Sequence, residues 1–509
     1  MPILNKGYRP KSHQTKNGNA LHRRARTTTW SKRLWASLLP LLLCGCVSVP
    51  TPSTEPLGFV VPTSWSGAAA QGMVPVSDKD TLADWWLRFD DPLLSQLIHQ
   101  ALAANTSVRG AQAALQQARA LRDVSAAALW PTLGSSVSAQ RGRSAEVTSN
   151  TFQLGLDASW EMDVFGANRS AVNASEADAL ASAASLGQVQ VSTAAEVALD
   201  YLSLRSTQER LAIAQANLAS QQETLQITQW RLQAGLVTSL EAEQARTLTE
   251  QTAAQIPTLQ TTIEQNRHAL AVLTGQPPAA LSAVLAAAGP LPLAPDALAL
   301  AFPADTLRQR SDVRAAEFQV SAAAARVSQA DAARLPSFTL GGSLGLSALT
   351  VGALTDGASV AAAVLASMTW PVFDGGASRA QLRAQQAALA QANTSYQGTV
   401  LTALTEVEDA LVALQGDQQR QLRLQNAFEA ADIAATLASQ RYNSGLVDFS
   451  TVLETQRTRL SAQDSLAVVR AAVSADHVRL YKALGGGWLP TSLDAQPAAA
   501  FTPIRPPKS

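Results

Sequence analysis

The residue types that catalyse reactions are sparse in this chain, and one short motif combines them in a familiar pattern. Gly341–Gly345 has the sequence GGSLG, which fits the G-x-S-x-G motif that presents a hydrolase serine on a turn between a strand and a helix. Here the motif lies inside an alternating strand pattern, where its glycines suit the wall of a sheet. We therefore expect that Ser343 is not a nucleophile and that the protein is not an enzyme.

Metal-binding and phosphate-binding patterns do not emerge either. Beyond the N-terminal segment the histidines are His99, His268 and His477, whose separation in sequence matches no metal-ligand spacing. Gly485–Gly487 lacks the Gly-Lys-Ser/Thr ending of a phosphate-binding loop. We expect no metal and no cofactor.

The N-terminus has the features of a secretion signal with a lipid attachment site. Residues 1–45 hold nine Lys or Arg and no Asp or Glu, and the apolar run Leu34–Leu43 is too short to span a bilayer. Leu43–Cys46 (LCGC) resembles the bacterial lipobox, which predicts that residues 1–45 are removed and that Cys46 is lipidated. The residue after Cys46 is Val47 rather than the Asp that retains such lipoproteins in the inner membrane, so the resemblance implies the outer membrane. The alternative is an ordinary cleaved signal with incidental cysteines.

The charge balance argues against a nucleic-acid partner. Removing residues 1–45 would leave 30 basic against 39 acidic groups, a net charge of about −9. A chain with this negative charge lacks the basic surface that binds the phosphate backbone of a nucleic acid.

Residues 46–80, rich in Pro, Ser and Thr, are predicted to be the anchor and a linker, and residues 489–509 are predicted to be a loose C-terminal tail. Cys44 and Cys46 are the only cysteines, so we expect no disulfide framework.

The chain repeats its own pattern 210 positions later. Gly166–Arg169 (GANR) returns as Gly376–Arg379 (GASR), and Arg231–Val237 (RLQAGLV) returns as Arg441–Val447 (RYNSGLV). Solenoid units are only about 20 to 50 residues long, so we interpret this as one duplicated unit. Repeat 1 covers residues 81–290 and repeat 2 covers 291–488. Each has the order helix, two strands, very long helix, tight turn, shorter helix.

Two segments in each repeat alternate between apolar and polar residues. The predicted strands cover about residues 132–141, 151–161, 337–347 and 358–370. Strands of about ten residues with one apolar face fit a membrane barrel that faces lipid outside and water inside, although a soluble sandwich would alternate too. Trp130, Trp160 and Trp370 fall at the same ends of their strands, as an interfacial belt requires.

Two very long helices are predicted at about residues 167–231 and 376–441. The first segment contains no Pro, and at about 1.5 Å per residue it would be a rod of roughly 100 Å. Leucines recur every seven positions from Leu204 to Leu232, which is typical of a coiled-coil seam. The shorter helices of repeat 1, at 105–130 and 238–275, together match the long one. Stacked end to end, they would run beside it.

Four strands are too few to close a membrane barrel alone. The practical minimum is about eight strands, and open strand edges do not occur in lipid. The chain must therefore associate if it is a membrane barrel. Two copies would give eight strands and a filled interior, whereas three would give twelve strands and a pore.

Several motifs, in order and spacing, resemble those of one family. They are Trp85–Ala111, Trp370–Leu382 (WPVFDGGASRAQL), Arg441–Gln456 (RYNSGLVDFSTVLETQ) and Tyr481–Trp488 (YKALGGGW). Over about residues 80–488 the chain resembles the TolC-type outer-membrane efflux proteins, in the lipoprotein branch that serves resistance-nodulation-division pumps.

The resemblance implies an α+β membrane protein that forms a homotrimer. Its twelve-stranded transmembrane β-barrel, with four strands from each chain, would continue as a long α-helical barrel in the periplasm. The partners implied are a periplasmic adaptor, a proton-driven inner-membrane transporter and outer-membrane lipid of a Gram-negative bacterium. The duct would conduct substrates passively and would be gated at its periplasmic end.

The resemblance also assigns roles to residues at the two hairpin turns. It implies that the turns contact the adaptor, through Gly235, Leu236, Val237, Gly445, Leu446 and Val447. It further implies that the aperture is held shut by Tyr442, Glu454 and Arg457, although the family usually has Asp at the position of Glu454. The alternative for Glu454 and Arg457 is a solvated i,i+3 pair worth a few tenths of a kcal/mol. Repeat 1 has Leu232 where Tyr442 stands, which predicts an asymmetric gate.

Two other functions are compatible with parts of these patterns. A type I secretion duct would differ only in cargo. A periplasmic coiled-coil adaptor also uses long helical hairpins and lipid anchors, but it would need one hairpin flanked by small β domains, whereas this sequence predicts two hairpins and four strands.

Overall fold

The computed structural model describes residues 59–62, 64–66, 80–144, 147–294, 307 and 309–488. The predicted signal peptide, the lipidation site Cys46 and the predicted tail 489–509 lie outside the described residues, as does most of the predicted linker.

The described chain runs through two series of elements that share one order of helix, two strands, long helix and shorter helix, beginning at Thr106 in the first series and at Ser311 in the second. The first series is α1 (Asp80–Ala83), a 3-10 turn (Trp85–Phe89), α2 (Pro92–Ala104), α3 (Thr106–Ala127), β1 (Thr132–Ser144), β2 (Val147–Met162), α4 (Ala167–Gln233) and α5 (Ser239–Leu273). The second is α6 (Ser311–Ala332), β3 (Ser337–Ala348), two 3-10 turns (Gly352–Thr355 and Gly357–Ser359), β4 (Val360–Thr369), α7 (Ala377–Asn443) and α8 (Phe449–Ala483).

Corresponding helices of the two series have equal lengths. Helices α3 and α6 each have 22 residues, α4 and α7 have 67, and α5 and α8 have 35. Apart from Pro257 within α5, they contain no proline that would interrupt their hydrogen-bond ladders. At about 1.5 Å per residue, α4 and α7 are each roughly 100 Å long. Among the described residues, no helix combines the length and the apolar character needed to cross a membrane.

An aspartate lies three or four residues before each long helix and accepts hydrogen bonds from backbone N–H groups at the start of that helix. Asp163 accepts from the backbone N–H groups of Asn168 and Arg169, at 3.1 and 3.0 Å. Asp374 accepts from those of Gly376 and Ser378, at 2.9 and 2.8 Å. The Ser378 hydroxyl and these N–H groups lower the pKa of Asp374 to about 2, so the carboxylate stays charged beside the positive end of the helix dipole.

The shorter hairpin helix of each series ends against the start of the helix that leads into the strands. Asn105, which caps α3, donates through Nδ2 to the Leu273 carbonyl at the end of α5, at 2.9 Å. Arg310, which precedes α6, donates through its guanidinium to the Ala483 carbonyl at the end of α8, at 2.8 Å. The predicted end-to-end stacking of short helices is therefore present in both series.

The four strands form one antiparallel sheet in the order β1-β2-β3-β4. Directly paired residues lie on the same face of a sheet, so the register assigns every side chain to a face. One face is apolar, with Leu133, Val137, Phe152, Leu154, Leu156, Trp160, Phe338, Leu340, Leu344, Leu346, Val360, Val364 and Met368. The other carries mostly Ser, Thr, Gln, Gly and small residues, and its only charges in the described strands are Asp157 and Glu161.

The three tryptophans of the predicted belt lie at the end of the sheet where the helices join it. Trp130 and Trp370 are 71% and 55% exposed, whereas Trp160 is half-buried and donates through its indole N–H to the Leu129 carbonyl at 3.0 Å. Trp130 and Trp370 expose large rings at the boundary between strand and helix, a position suited to the interface of a membrane.

The main core lies where the short helices meet α4, α7 and α8. Trp85 of the 3-10 turn stacks on Tyr481 of α8 with ring centroids 5.6 Å apart, and both are fully buried. Close to this core, Trp488 covers Gly187, the only glycine of α4. A Cβ atom at position 187 would lie 2.6 Å from Cε3 of Trp488, so glycine is required there by the approach of the indole.

We predict that Gly187→Ala destabilises the protein by about 1–3 kcal/mol, because the added methyl group overpacks against Trp488. Gly398→Ala in α7 is the matched control, since a Cβ atom there meets nothing within 4 Å. This control should be neutral or stabilising by up to about 1 kcal/mol. Thermal unfolding monitored by circular dichroism distinguishes the two. If the thermal unfolding midpoint of Gly187→Ala is no lower than that of Gly398→Ala, the packing argument is contradicted.

Candidate functional site: the two hairpin turns

Two tight turns connect the long helices to their shorter partners. Gly235 and Gly445 adopt φ angles of 74° and 68°, a left-handed conformation that glycine tolerates best. The N–H groups of Leu236 and Leu446 donate back to the carbonyls of Arg231 and Arg441, at 2.8 and 2.9 Å. These bonds satisfy carbonyls at the C-terminal ends of α4 and α7 in the manner of a Schellman motif.

Each turn presents a leucine to solvent. Leu236 and Leu446 are 74% and 73% exposed, whereas the following Val237 and Val447 are half-buried. The predicted contact residues therefore occupy equivalent places in the two turns, with the leucine outermost.

The two turns differ in what supports them. In the first, the backbone N–H of Thr238 donates to the Glu241 carboxylate at 2.8 Å, which caps the start of α5. In the second, Tyr442 packs against the buried Phe449, with ring centroids 5.2 Å apart. Phe449 also belongs to a small apolar cluster drawn from both hairpins, comprising Leu225, Ala245, Ala438, Tyr442, Val452 and Leu453.

Arg231 joins the first hairpin to this cluster. Its guanidinium lies 5.3 Å from the centroid of the Tyr442 ring, which is within range of a cation–π interaction. Sequence reasoning singled out Tyr442 but missed Arg231. A signal was present, because the repeated motif has arginine at both 231 and 441, and only the second copy has tyrosine beside it.

Glu454 and Arg457 stand on α8 and are both exposed. No hydrogen bond or ion pair within the described chain involves either residue, so the alternative i,i+3 pair is not formed. The structure thus brings Tyr442 to Arg231 and Phe449, and it leaves Glu454 and Arg457 exposed, without a partner among the described residues.

A bidentate ion pair fixes the two hairpins to one another farther from the turns. Arg210 of α4 donates through Nε and Nη2 to the two carboxylate oxygens of Asp464 on α8, at 2.7 and 3.1 Å. Both side chains are about one-third exposed, so the pair is worth about 1 kcal/mol or less. Its value is geometric, since two parallel hydrogen bonds fix the rotation of one helix relative to the other.

The other residues with potential chemistry are dispersed. Ser343 lies within β3 and pairs with Asp157 and Ala363, so the G-x-S-x-G motif is not on a strand-to-helix turn. His99 packs edge-on against Trp86, and His477 lies beside Tyr481. Within the described part of the chain, no cluster of three or more His, Cys, Asp or Glu is arranged to hold a metal ion.

Comparison with known proteins agrees with this architecture. The model of the outer membrane efflux protein family matches residues 97–276 and 302–486. The chain is 34% identical over 464 residues to the pyoverdine export outer membrane protein OpmQ of Pseudomonas putida, covering 88% of this chain and 96% of that protein. It is 31% identical to the toluene efflux pump outer membrane protein TtgF of the same species, covering 91% and 98%.

A solved structure shares the fold as well as the sequence. The outer-membrane channel OprN superposes with a TM-score of 0.79 at 36% identity, covering 84% of this chain and 98% of OprN. The chain therefore belongs to the outer membrane efflux protein family, and the predicted resemblance to TolC-type channels is confirmed. This family consists of outer-membrane efflux proteins rather than enzymes.

We predict that Arg231→Gln loosens the contact between the hairpins. A cation–π interaction worth about 0.5–1 kcal/mol corresponds to a two- to fivefold change in local opening, so amide hydrogen exchange in residues 231–237 should accelerate by that factor. Arg441→Gln is the matched control, because in the described chain Arg441 lies over no aromatic ring. Equal acceleration in both variants would show that the charge at the turn matters and the Tyr442 contact does not.

Proposed function

We propose that this protein is the outer-membrane channel of a tripartite efflux pump. In this role it passively conducts substrates that a proton-driven inner-membrane transporter expels through a periplasmic adaptor. The observation that carries the proposal is the sheet, which exposes one apolar face, bears polar side chains on the other and continues directly into two helices of 67 residues.

The sheet edges support assembly into a closed barrel. Strands β1 and β4 each have one neighbour in the chain, so each leaves a row of backbone groups without a partner strand. Such groups cannot remain unpaired in lipid. Pairing β4 of one copy with β1 of the next removes both edges. Three copies of the four-stranded sheet give twelve strands, which leave an aqueous opening, whereas eight strands would be filled by side chains.

The helices extend the duct on the periplasmic side. In this assembly the hairpin turns lie farthest from the barrel, so Leu236 and Leu446 are the outermost apolar side chains and meet the adaptor. The same assembly places Glu454 and Arg457 where a neighbouring copy can supply the partners that their own chain does not. Three repeats of these charges around a constriction, together with Tyr442, hold the aperture shut.

The N-terminus anchors the assembly to the outer membrane of a Gram-negative bacterium. The lipid on Cys46, proposed from the lipobox pattern, supplies that anchor. Pyoverdine export and toluene efflux are the functions named for two relatives of the same architecture. These names favour efflux over type I secretion, and two hairpins with four strands favour a channel over a periplasmic adaptor.

The test of the gate is single-channel conductance of the purified protein in a planar bilayer. We predict a small conductance for the wild type and a clearly larger one for Glu454→Ala/Arg457→Ala, because removal of the charges releases the constriction. The matched control is Glu243→Ala/Arg246→Ala near the first turn, where an exposed Glu and Arg have the same i,i+3 spacing. A conductance that rises equally in the control would refute the gate assignment. Absence of conductance from all variants, with monomeric protein, would overturn the channel itself.

We also predict that the pore prefers cations. Asp157 and Glu161 are the only charges on the polar face of the described strands, so a trimer would line the barrel interior with six carboxylates. Asp157→Asn/Glu161→Gln should shift the reversal potential in a KCl gradient towards that of a non-selective pore. Glu317→Gln/Asp331→Asn on α6 removes equal charge outside the sheet and serves as control. Identical potentials for wild type and the sheet variant would contradict this assignment.

A further inference from the structure

Two arginines stand at the far end of β1, on the apolar face of the sheet. Residues two apart along a strand share a face, so the side of β1 that carries Leu133 and Val137 continues with Arg141 and Arg143. Both arginines are exposed, and neither forms an ion pair within the described part of the chain. The face therefore changes from apolar to cationic at Arg141.

The strand register places Arg141 and Arg143 just beyond the part of the sheet in which all four strands are paired. The pairing of β2 with β3 ends at Phe152 and Ala348, whereas β1 and β2 continue as a two-stranded extension. On that extension Arg141 pairs with Asn150 and Arg143 pairs with Thr148. The arginines thus have polar neighbours, and they lie at the end of the sheet opposite to the helices.

The spacing from the tryptophan at the other end matches the thickness of an outer membrane. Arg141 lies eleven positions after Trp130, which is 71% exposed. The nine steps from Thr132 to Arg141 lie within β1, and at about 3.3 Å per residue and a strand tilt of about 40° they span roughly 23 Å along the membrane normal, against an apolar band of about 25 Å in outer-membrane barrels. With Trp130 at one boundary of that band, Arg141 and Arg143 reach the lipid headgroups at the other.

We propose that Arg141 and Arg143 bind the phosphate groups of the phosphorylated glycolipid that forms the outer leaflet. The inference rests on the proposed function, since it requires the sheet to span the outer membrane. A guanidinium binds phosphate through two parallel hydrogen bonds, and a phosphomonoester carries more negative charge than a phosphodiester. The second series of elements has no counterpart, because the residues that follow β3 are Leu349, Thr350 and Val351.

The experiment compares the purified full-length trimer with two double variants. Arg141→Gln/Arg143→Gln removes the proposed site, and Arg109→Gln/Arg119→Gln removes the same charge from exposed positions on α3. Each protein is titrated in detergent with lipid A, with dephosphorylated lipid A and with phosphatidylglycerol, and binding is followed by native mass spectrometry. We expect lipid A to bind the site variant at least tenfold more weakly than the wild type, and the control variant within twofold of it. Dephosphorylated lipid A should bind all three weakly.

Two results would overturn the inference while leaving the proposed function intact. One is equal lipid A binding by wild type and the Arg141→Gln/Arg143→Gln variant. The other is a preference of the wild type for phosphatidylglycerol, which would make the surface a phospholipid contact. Single-channel conductance of the same preparations separates these results from failure of the proposed function, because wild-type protein without any conductance would remove the membrane placement on which the inference depends.

Discussion

Pairing of backbone hydrogen-bonding groups is the constraint on which the rest of this structure depends. A four-stranded sheet with an exposed apolar face has no stable environment as a single copy. Water does not suit its leucines and valines, and lipid does not tolerate its two open edges. The proposed assembly removes both difficulties, because each open edge meets the edge of another copy and the apolar face meets lipid. In the proposed assembly the long helices extend the duct and the turns form its far end.

The two series also share one kind of helix junction. In each series a helix of 67 residues is accompanied by two shorter helices that meet end to end. At that junction a side chain donates a hydrogen bond to the last carbonyl of the shorter hairpin helix. Asn105 does so in the first series and Arg310 in the second. The residue types differ, but the physical requirement, an unsatisfied carbonyl at a helix end, is the same.

Two further differences between the series lie at the two ends of the chain's long axis of elements, the turns and the far end of the sheet. At the turns, a polar cap at Thr238 in the first series is replaced by the Tyr442 and Phe449 pair in the second. At the far end of the sheet, β1 and β2 extend beyond β3, and β1 carries two arginines there. The regions between these ends pack against neighbouring helices and strands, whereas in the proposed assembly the ends contact other molecules.

The amino-acid sequence by itself determined which segments form strands, which face of each strand is apolar and how far the long helices run. The signals are local: period-2 alternation marks the strands, the absence of proline marks the long helices, and the glycines at positions 235 and 445 mark the turns. Local propensity is enough to specify elements of these kinds. The sequence motifs also identified the family. Only the tertiary structure decided that Arg231 lies over the ring of Tyr442 and that Trp488 packs against Gly187. It also decided that Glu454 and Arg457 form no ion pair with each other. Those contacts join residues hundreds of positions apart, or depend on which way a helix is rotated, and no spacing along the chain encodes either.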